Sequence, residues 1–352
     1  MSDDREPEAG EASPRGPGHP GSWTPPPAGP PGSGIFSLEG RPAAGLYSLA
    51  WLLAVVAIGL VVVAVAAASG AAAGRPAGAI VPVMLAASGL AFTLCFAAAA
   101  GYQVVARADR RPDRYRGPSP LILFGFILFG VTLLVGLLSA AGVVAPESQP
   151  VGTLAVELIT ALGYVAGIWL FVVRTSALTW HGMGWPRPGD ALRRLPGDVA
   201  AGLAVILPIY TVTVFAGGLL AVILGVSLPA VLPAPRSPVD DLATILTGVV
   251  VAPIGEEIFF RGLALTAWWR DRSLRSALLR ATIFFAAAHI LNVTASSAGE
   301  GLRIAFLQFV VILPVGYALG WLFSQRGILA SIAGHMTFNG IAVALLLLLP
   351  GR

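Results

Sequence analysis

Lysine is absent from this 352-residue chain, cysteine occurs once, and charged side chains make up only 11%. A soluble domain carries about 25% charged residues, so this scarcity excludes an ordinary soluble globular enzyme. A mean hydropathy of +0.81 and an apolar share of 56% exclude a disordered chain as well. The single Cys95 rules out an internal disulfide and a cysteine metal cluster. Inside an apolar run it reads as a small packing residue. All basic residues are arginine, a bias that suggests a GC-rich, bacterial source. The arginines fall mainly in the breaks between apolar runs. The net charge of +4 therefore reads as membrane topology and lipid-headgroup contact, with no nucleic-acid partner.

What remains is a polytopic helical membrane protein. Long apolar stretches separated by Arg- and Pro-bearing breaks satisfy their backbone groups only as helices. A β-barrel would show alternation in roughly 10-residue pieces, which is missing. Residues 1–43 are rich in proline, glycine and acid, and are expected to form a disordered tail with inert His19 and Trp23. Nine apolar segments follow, near the ~20 residues a bilayer needs. They are placed at 46–68, 79–101, 121–145, 151–173, 198–226, 241–267, 276–292, 303–323 and 328–349. The first five make an accessory region (44–239) and the last four a separate core (240–352). Pro208 is expected to kink the fifth span. Gly163/Gly167 and Gly316/Gly320 have the GxxxG spacing that suits close helix packing.

Arginine counts set the expected orientation. The breaks after spans two, four, six and eight hold fourteen arginines, against four on the other side. The rich side and the tail are therefore placed in the cytoplasm, with Trp180, Trp185, Trp268 and Trp269 as an interfacial belt.

Ionisable groups inside a span are costly and are functional candidates by default. The sixth span carries Glu256, Glu257 and Arg261. Glu257 and Arg261 are four apart and can pair on one helix face. Glu256 lies ~100° round the helix and is free to face a cavity, where a carboxylate can take a proton from water. The seventh span carries Phe285-Ala-Ala-Ala-His289, and the ninth His335-Met-Thr-Phe-Asn339. His335 and Asn339 share a face and can both donate hydrogen bonds. Taken singly, each histidine is as well explained as a helix contact. At ~1.5 Å per residue, Glu256, His289 and His335 sit roughly 12–20 Å from the cytoplasmic end of their spans and can meet at one level.

In order and spacing, Glu256-Glu257-xxx-Arg261, Phe285-xxx-His289 and His335-xxx-Asn339 resemble the three motifs of the CAAX prenyl protease and bacteriocin-processing ("abortive infection") family of intramembrane proteases. The resemblance covers about residues 240–350. It implies catalytic helices round a hydrophilic cavity. It implies that Glu256 and His289 activate water, that His335 and Asn339 stabilise an oxyanion, and that Glu257 and Arg261 orient the site. The substrate it implies is a membrane-associated protein or peptide, cut within the lipid bilayer of a bacterial cell membrane. Zinc is left open: Glu256, His289 and His335 can supply ligands, yet the compact HExxH arrangement is missing. Asn292 is a further polar candidate.

No Gly-x-Ser-x-Gly is present, and the Gly-Asp pairs at 189–190 and 197–198 fall in an expected loop. His181 reads as interfacial. Glu157, in the fourth span, reads as reaching headgroups or a neighbour, with lining the cavity as the lesser alternative. Two rival functions stand beside the protease: an ion-coupled transporter using the Glu/Arg/His group as a proton path, and a non-catalytic membrane scaffold.

Overall fold

The structure is a computed structural model that describes residues 43–72, 79–227 and 232–348. The tail, with His19 and Trp23, and Arg75 and Arg352 of the charge count lie outside the described residues. The described residues form helices and no strand.

Among the described residues, nine helical rods correspond one to one with the nine apolar segments. These are α1 (Ala44–Ala72), α2 (Ile80–Ala106), α3 (Pro120–Ala140), α4 (Pro150–Val173), α5 (Pro188–Leu224), α6 (Pro238–Asp271), α7 (Leu274–Ile290), α8 (Ala298–Arg326) and α9 (Ile328–Leu348). Eight rods are long and apolar enough to cross a membrane. The remaining one, α7, has 17 residues. The chain is an integral membrane protein, and its outer surface shows why. Trp51, Leu52, Val55, Phe215 and Val222 are more than 60% exposed along α1 and α5, a pattern that suits lipid rather than water.

Boundaries differ from expectation where proline sets them. α5 begins at Pro188, ten residues before the expected span, because a proline in the first turn gives up an N–H that has no partner there anyway. Gly197-Asp198 therefore lies in a helix, not a loop. Asp198 is fully buried, accepting from Arg326 Nε at 2.9 Å with Arg194 Nε at 3.9 Å. Pro208 lies inside the continuous α5.

α6 is the least regular rod. π-helical turns at Leu246–Val251 and Ile258–Leu265 flank the short α-helical piece Ala252–Glu257. Pro253 accounts for the first: it has no N–H to give the carbonyl four residues back, and its ring crowds that carbonyl. Wider turns are the local answer, and such bulges are frequent at functional sites.

The main core gathers side chains from α3, α4, α6, α7, α8 and α9, including Leu123, Tyr164, Phe259, Phe260, Phe285 and Phe323. Both GxxxG pairs mark close contacts. Gly163 and Gly167 of α4 meet Val131 and Ile127 of α3, while Gly316 and Gly320 of α8 meet Phe285 and Leu278 of α7. Cys95 is a free, buried packing residue.

Two interfacial readings need correction. Trp268 is 1% exposed and sits edge-on to Phe284 at 5.8 Å, so it belongs to the core and not to a headgroup belt. Trp180, Trp185 and Trp269 are partly buried against the same core. Arg107 is also fully buried, with Nη1 donating to the Gly117 carbonyl at 2.6 Å. Burial, with neighbouring Arg110, pulls its guanidinium down to about 10, so it stays charged at neutral pH. Arg110 and Arg114 fold onto Asp271 at 3.2 and 3.7 Å, tying the loop after α2 to the end of α6.

Candidate active site

Three helices, α6, α7 and α9, bring their polar residues together. The adjacent carboxylates of α6 point in different directions, as the ~100° step per residue requires. Glu257 is fully buried, while the Glu256 side chain is 23% exposed.

Glu257 is saturated. Its Oε1 accepts from Arg261 Nη1 at 2.6 Å and from His335 Nδ1 at 2.8 Å. Its Oε2 is bonded to the Ser331 hydroxyl. Arg261 also donates Nη2 to the Gly316 carbonyl at 3.2 Å and lies 4.1 Å over the Phe285 ring. The expected Glu257–Arg261 pair is thus present, within a wider network. A buried pair with its remaining donors and acceptors satisfied is tolerable; one with a partner missing is not.

Glu256 is different. Its Oε2 is buried and has no hydrogen-bond partner. It stands 3.8 Å from His289 Nε2 and 3.8 Å from His335 Nε2. That separation is too long for a direct hydrogen bond and suits one bridged by a water molecule.

Both rings are oriented from behind. His289 Nδ1–H donates to the Phe285 carbonyl at 2.8 Å, one turn back on α7. A carbonyl only accepts, so the neutral ring turns an Nε2 lone pair toward Glu256. His335 Nδ1–H donates to Glu257, giving its ring the same tautomer. The Phe285 ring is a common platform, 4.4 Å from the His289 ring and 5.8 Å from the His335 ring.

Asn339 lies one turn beyond His335, and its Nδ2 donates to the Gly248 carbonyl at 2.8 Å. This joins α9 to the first π-helical turn of α6 and leaves the second amide hydrogen available. Asn292 is exposed in the turn after α7 and is not brought into the cluster. His181 is exposed, with Nδ1–H donating to the Trp185 carbonyl at 3.0 Å.

A resident zinc ion would need three or more donors closing on one point at ~2.0–2.2 Å. Taken in pairs, Glu256 and each histidine are near enough to share a ligand. As a set they fall short: no group of three or more His, Cys, Asp or Glu among the described residues is disposed to hold a metal ion. The residues therefore do not fit the metal, and no step below is routed through one.

Sequence reasoning missed Ser331. A serine in an Ala- and Gly-rich helix carries no signal until Glu257 is known to sit opposite it. It also missed the Phe285 and Gly248 carbonyls, which no side-chain motif can reveal.

Fold and cluster together define a class: a helical membrane protein with a network of acids, imidazoles and an amide held among its C-terminal helices. Residues 238–341 match the family model described as Rce1-like, type II CAAX prenyl endopeptidase. This stretch runs from the start of α6 into α9 and is similar to the CAAX prenyl protease family. No curated protein and no solved structure matches the chain.

Proposed function

We propose that the chain hydrolyses a peptide bond in a membrane-associated protein or peptide, within the bilayer, with Glu256 as general base. The observation that carries this reading is the position of Glu256 Oε2, unpartnered and 3.8 Å from two imidazole Nε2 atoms. A carboxylate so placed, in a partly closed site, can hold and deprotonate water.

In this reading the water lies between Glu256 and His289. Glu256 takes one proton, and the oxygen attacks the scissile carbonyl carbon. The negative charge that develops on the carbonyl oxygen is met by the spare amide hydrogen of Asn339 and by Nε2–H of His335. Because its Nδ1–H is committed to Glu257, His335 donates there only in its doubly protonated form. Glu256 returns its proton to the departing amine as the C–N bond breaks, leaving a carboxylic acid and an amine. Arg261 and Ser331 hold Glu257, and through it His335, in place.

The catalytic core is assigned to residues 240–352, with 44–239 as an accessory region. The arginine distribution puts the Ala44 end of α1 on the cytoplasmic side. The test is Glu256→Gln in purified, membrane-reconstituted protein. We expect kcat to fall by about 10²–10⁴-fold, the range of a positioned general base. The fold should survive, because Glu256 Oε2 bonds to no protein group. Cleavage at the wild-type rate ends the proposal.

A further inference from the structure

One acidic side chain of the accessory half is left over from this site. Glu157 lies two turns into α4 and is half-buried. No hydrogen bond or ion pair ties it to another described residue. An unpaired carboxylate inside a span is costly and calls for a partner or a function.

Its position follows from the packing of α4 on α6. A Cβ on Gly255 would meet Ala161 Cβ at 3.0 Å and Tyr164 Cδ2 at 3.6 Å. Tyr164 also lies 4.8 Å from the Phe259 ring. Ala161 beside Gly255 and Tyr164 beside Phe259 show that the two helices run parallel. Residues 157, 161 and 164 share one helical face, spaced i, i+4 and i+7. Glu157 therefore faces α6 about 6 Å along the axis from Ala161, four residues at ~1.5 Å each. That level is near Val251 and Gly248, on the side where Asn339 is anchored.

We propose that Glu157 is a specificity residue, which binds a cationic group of the substrate (a Lys or Arg side chain, or a free amine) next to the scissile bond. The inference rests on the protease reading. A carboxylate on the face of α4 that packs on α6, about one turn along the axis from the Ala161–Gly255 contact and without a partner of its own, is complementary to a cation delivered by the substrate.

The experiment uses the full chain in nanodiscs with a degenerate peptide library, reading product termini by mass spectrometry. Wild-type products should be enriched in Lys or Arg at one position beside the cut. E157Q should still cut but lose that enrichment, and E256Q should cut at least about 10²-fold more slowly than the wild type. For a single cleaved peptide, replacing the preferred basic residue by norleucine should lower the wild-type kcat/KM by about tenfold, the scale of one charge-assisted hydrogen bond. This second measurement needs no variant to fold. Unchanged enrichment in E157Q, or an unchanged kcat/KM with norleucine, overturns the role of Glu157 and leaves the protease standing. If the wild type cuts no member of the library, the protease reading falls and takes this inference with it.

Discussion

Glu257 of α6 and His335 of α9 are 78 residues apart in the chain and 2.8 Å apart in space. The carboxylate fixes which imidazole nitrogen carries the proton and leaves Nε2 directed at Glu256. The same carboxylate neutralises Arg261 at 2.6 Å. One fully buried acid thus serves both the packing of the helices and the orientation of the site. In the proposed mechanism the two neighbouring glutamates divide by role: Glu257 builds and Glu256 reacts.

That division predicts opposite behaviour of variants. Glu257→Leu or Arg261→Met alone leaves a buried charge uncompensated, at a cost of about 3–5 kcal/mol. The double variant Glu257→Leu/Arg261→Met removes both charges together and should lose less stability than either single change. SDS titration of the reconstituted protein reads all three. A double variant as unstable as the sum of the singles would show that the pair is not the unit the geometry makes it. Glu257→Leu and the double variant should be inactive, because His335 loses its anchor.

The donor geometry makes a second prediction. Among the described residues no three donors close on one point, so dialysis against a strong chelator should leave kcat and the melting temperature unchanged. A loss of activity that zinc restores would require a rearrangement of Glu256, His289 and His335 and would replace the metal-free mechanism.

The sequence carried the fold further than the site. Nine apolar runs separated by arginine and proline give nine rods, because a bilayer tolerates little else. The Glu257–Arg261 pair was legible because helix geometry alone joins residues four apart. The meeting of Glu256 with His289 and His335 was legible only as motifs of matched depth. Their distances depend on how α6, α7 and α9 cross, which no local pattern records. The burial of Trp268 and Arg107 was misread for the same reason: a residue beside a loop reads as interfacial until a loop such as the one after α2 folds back over α6. Asn292 failed differently. It follows His289 by three, but the helix has ended by then, and the side chain leaves the shared face.

Ser331 supplies a third prediction. Its single hydroxyl lies between Glu257 Oε2 and the Leu319 carbonyl, which is 2.9 Å away. Ser331→Ala leaves a buried carboxylate oxygen without a donor, a loss of about 1–3 kcal/mol. The effect on catalysis should appear in kcat rather than KM, since Ser331 acts through Glu257 and His335. Ser331→Thr keeps the hydroxyl and should recover most of the rate. If alanine and threonine behave alike, packing rather than the hydrogen bond is what Ser331 contributes.

The last prediction concerns the accessory half. On α5, Gly202 crosses α9 so closely that a Cβ would lie 2.7 Å from the Gly334 backbone nitrogen and 3.1 Å from the Ala333 carbonyl carbon. These are backbone atoms and cannot rotate aside, and the next residue along α9 is His335. Gly202→Ala should therefore push the two helices apart, at about 1–3 kcal/mol, the usual cost of overpacking. It should also lower kcat, because His335 moves relative to Glu256. Gly218 lies on the same helix with nothing within 4 Å of a Cβ. Gly218→Ala gains helix propensity of up to about 1 kcal/mol and should leave cleavage untouched. Comparing the two variants by melting temperature and by kcat separates a general effect of α5 from contact at one crossing. Equal activity in both would mean that α5 does not set the position of His335, and that the catalytic helices hold their geometry without the accessory region.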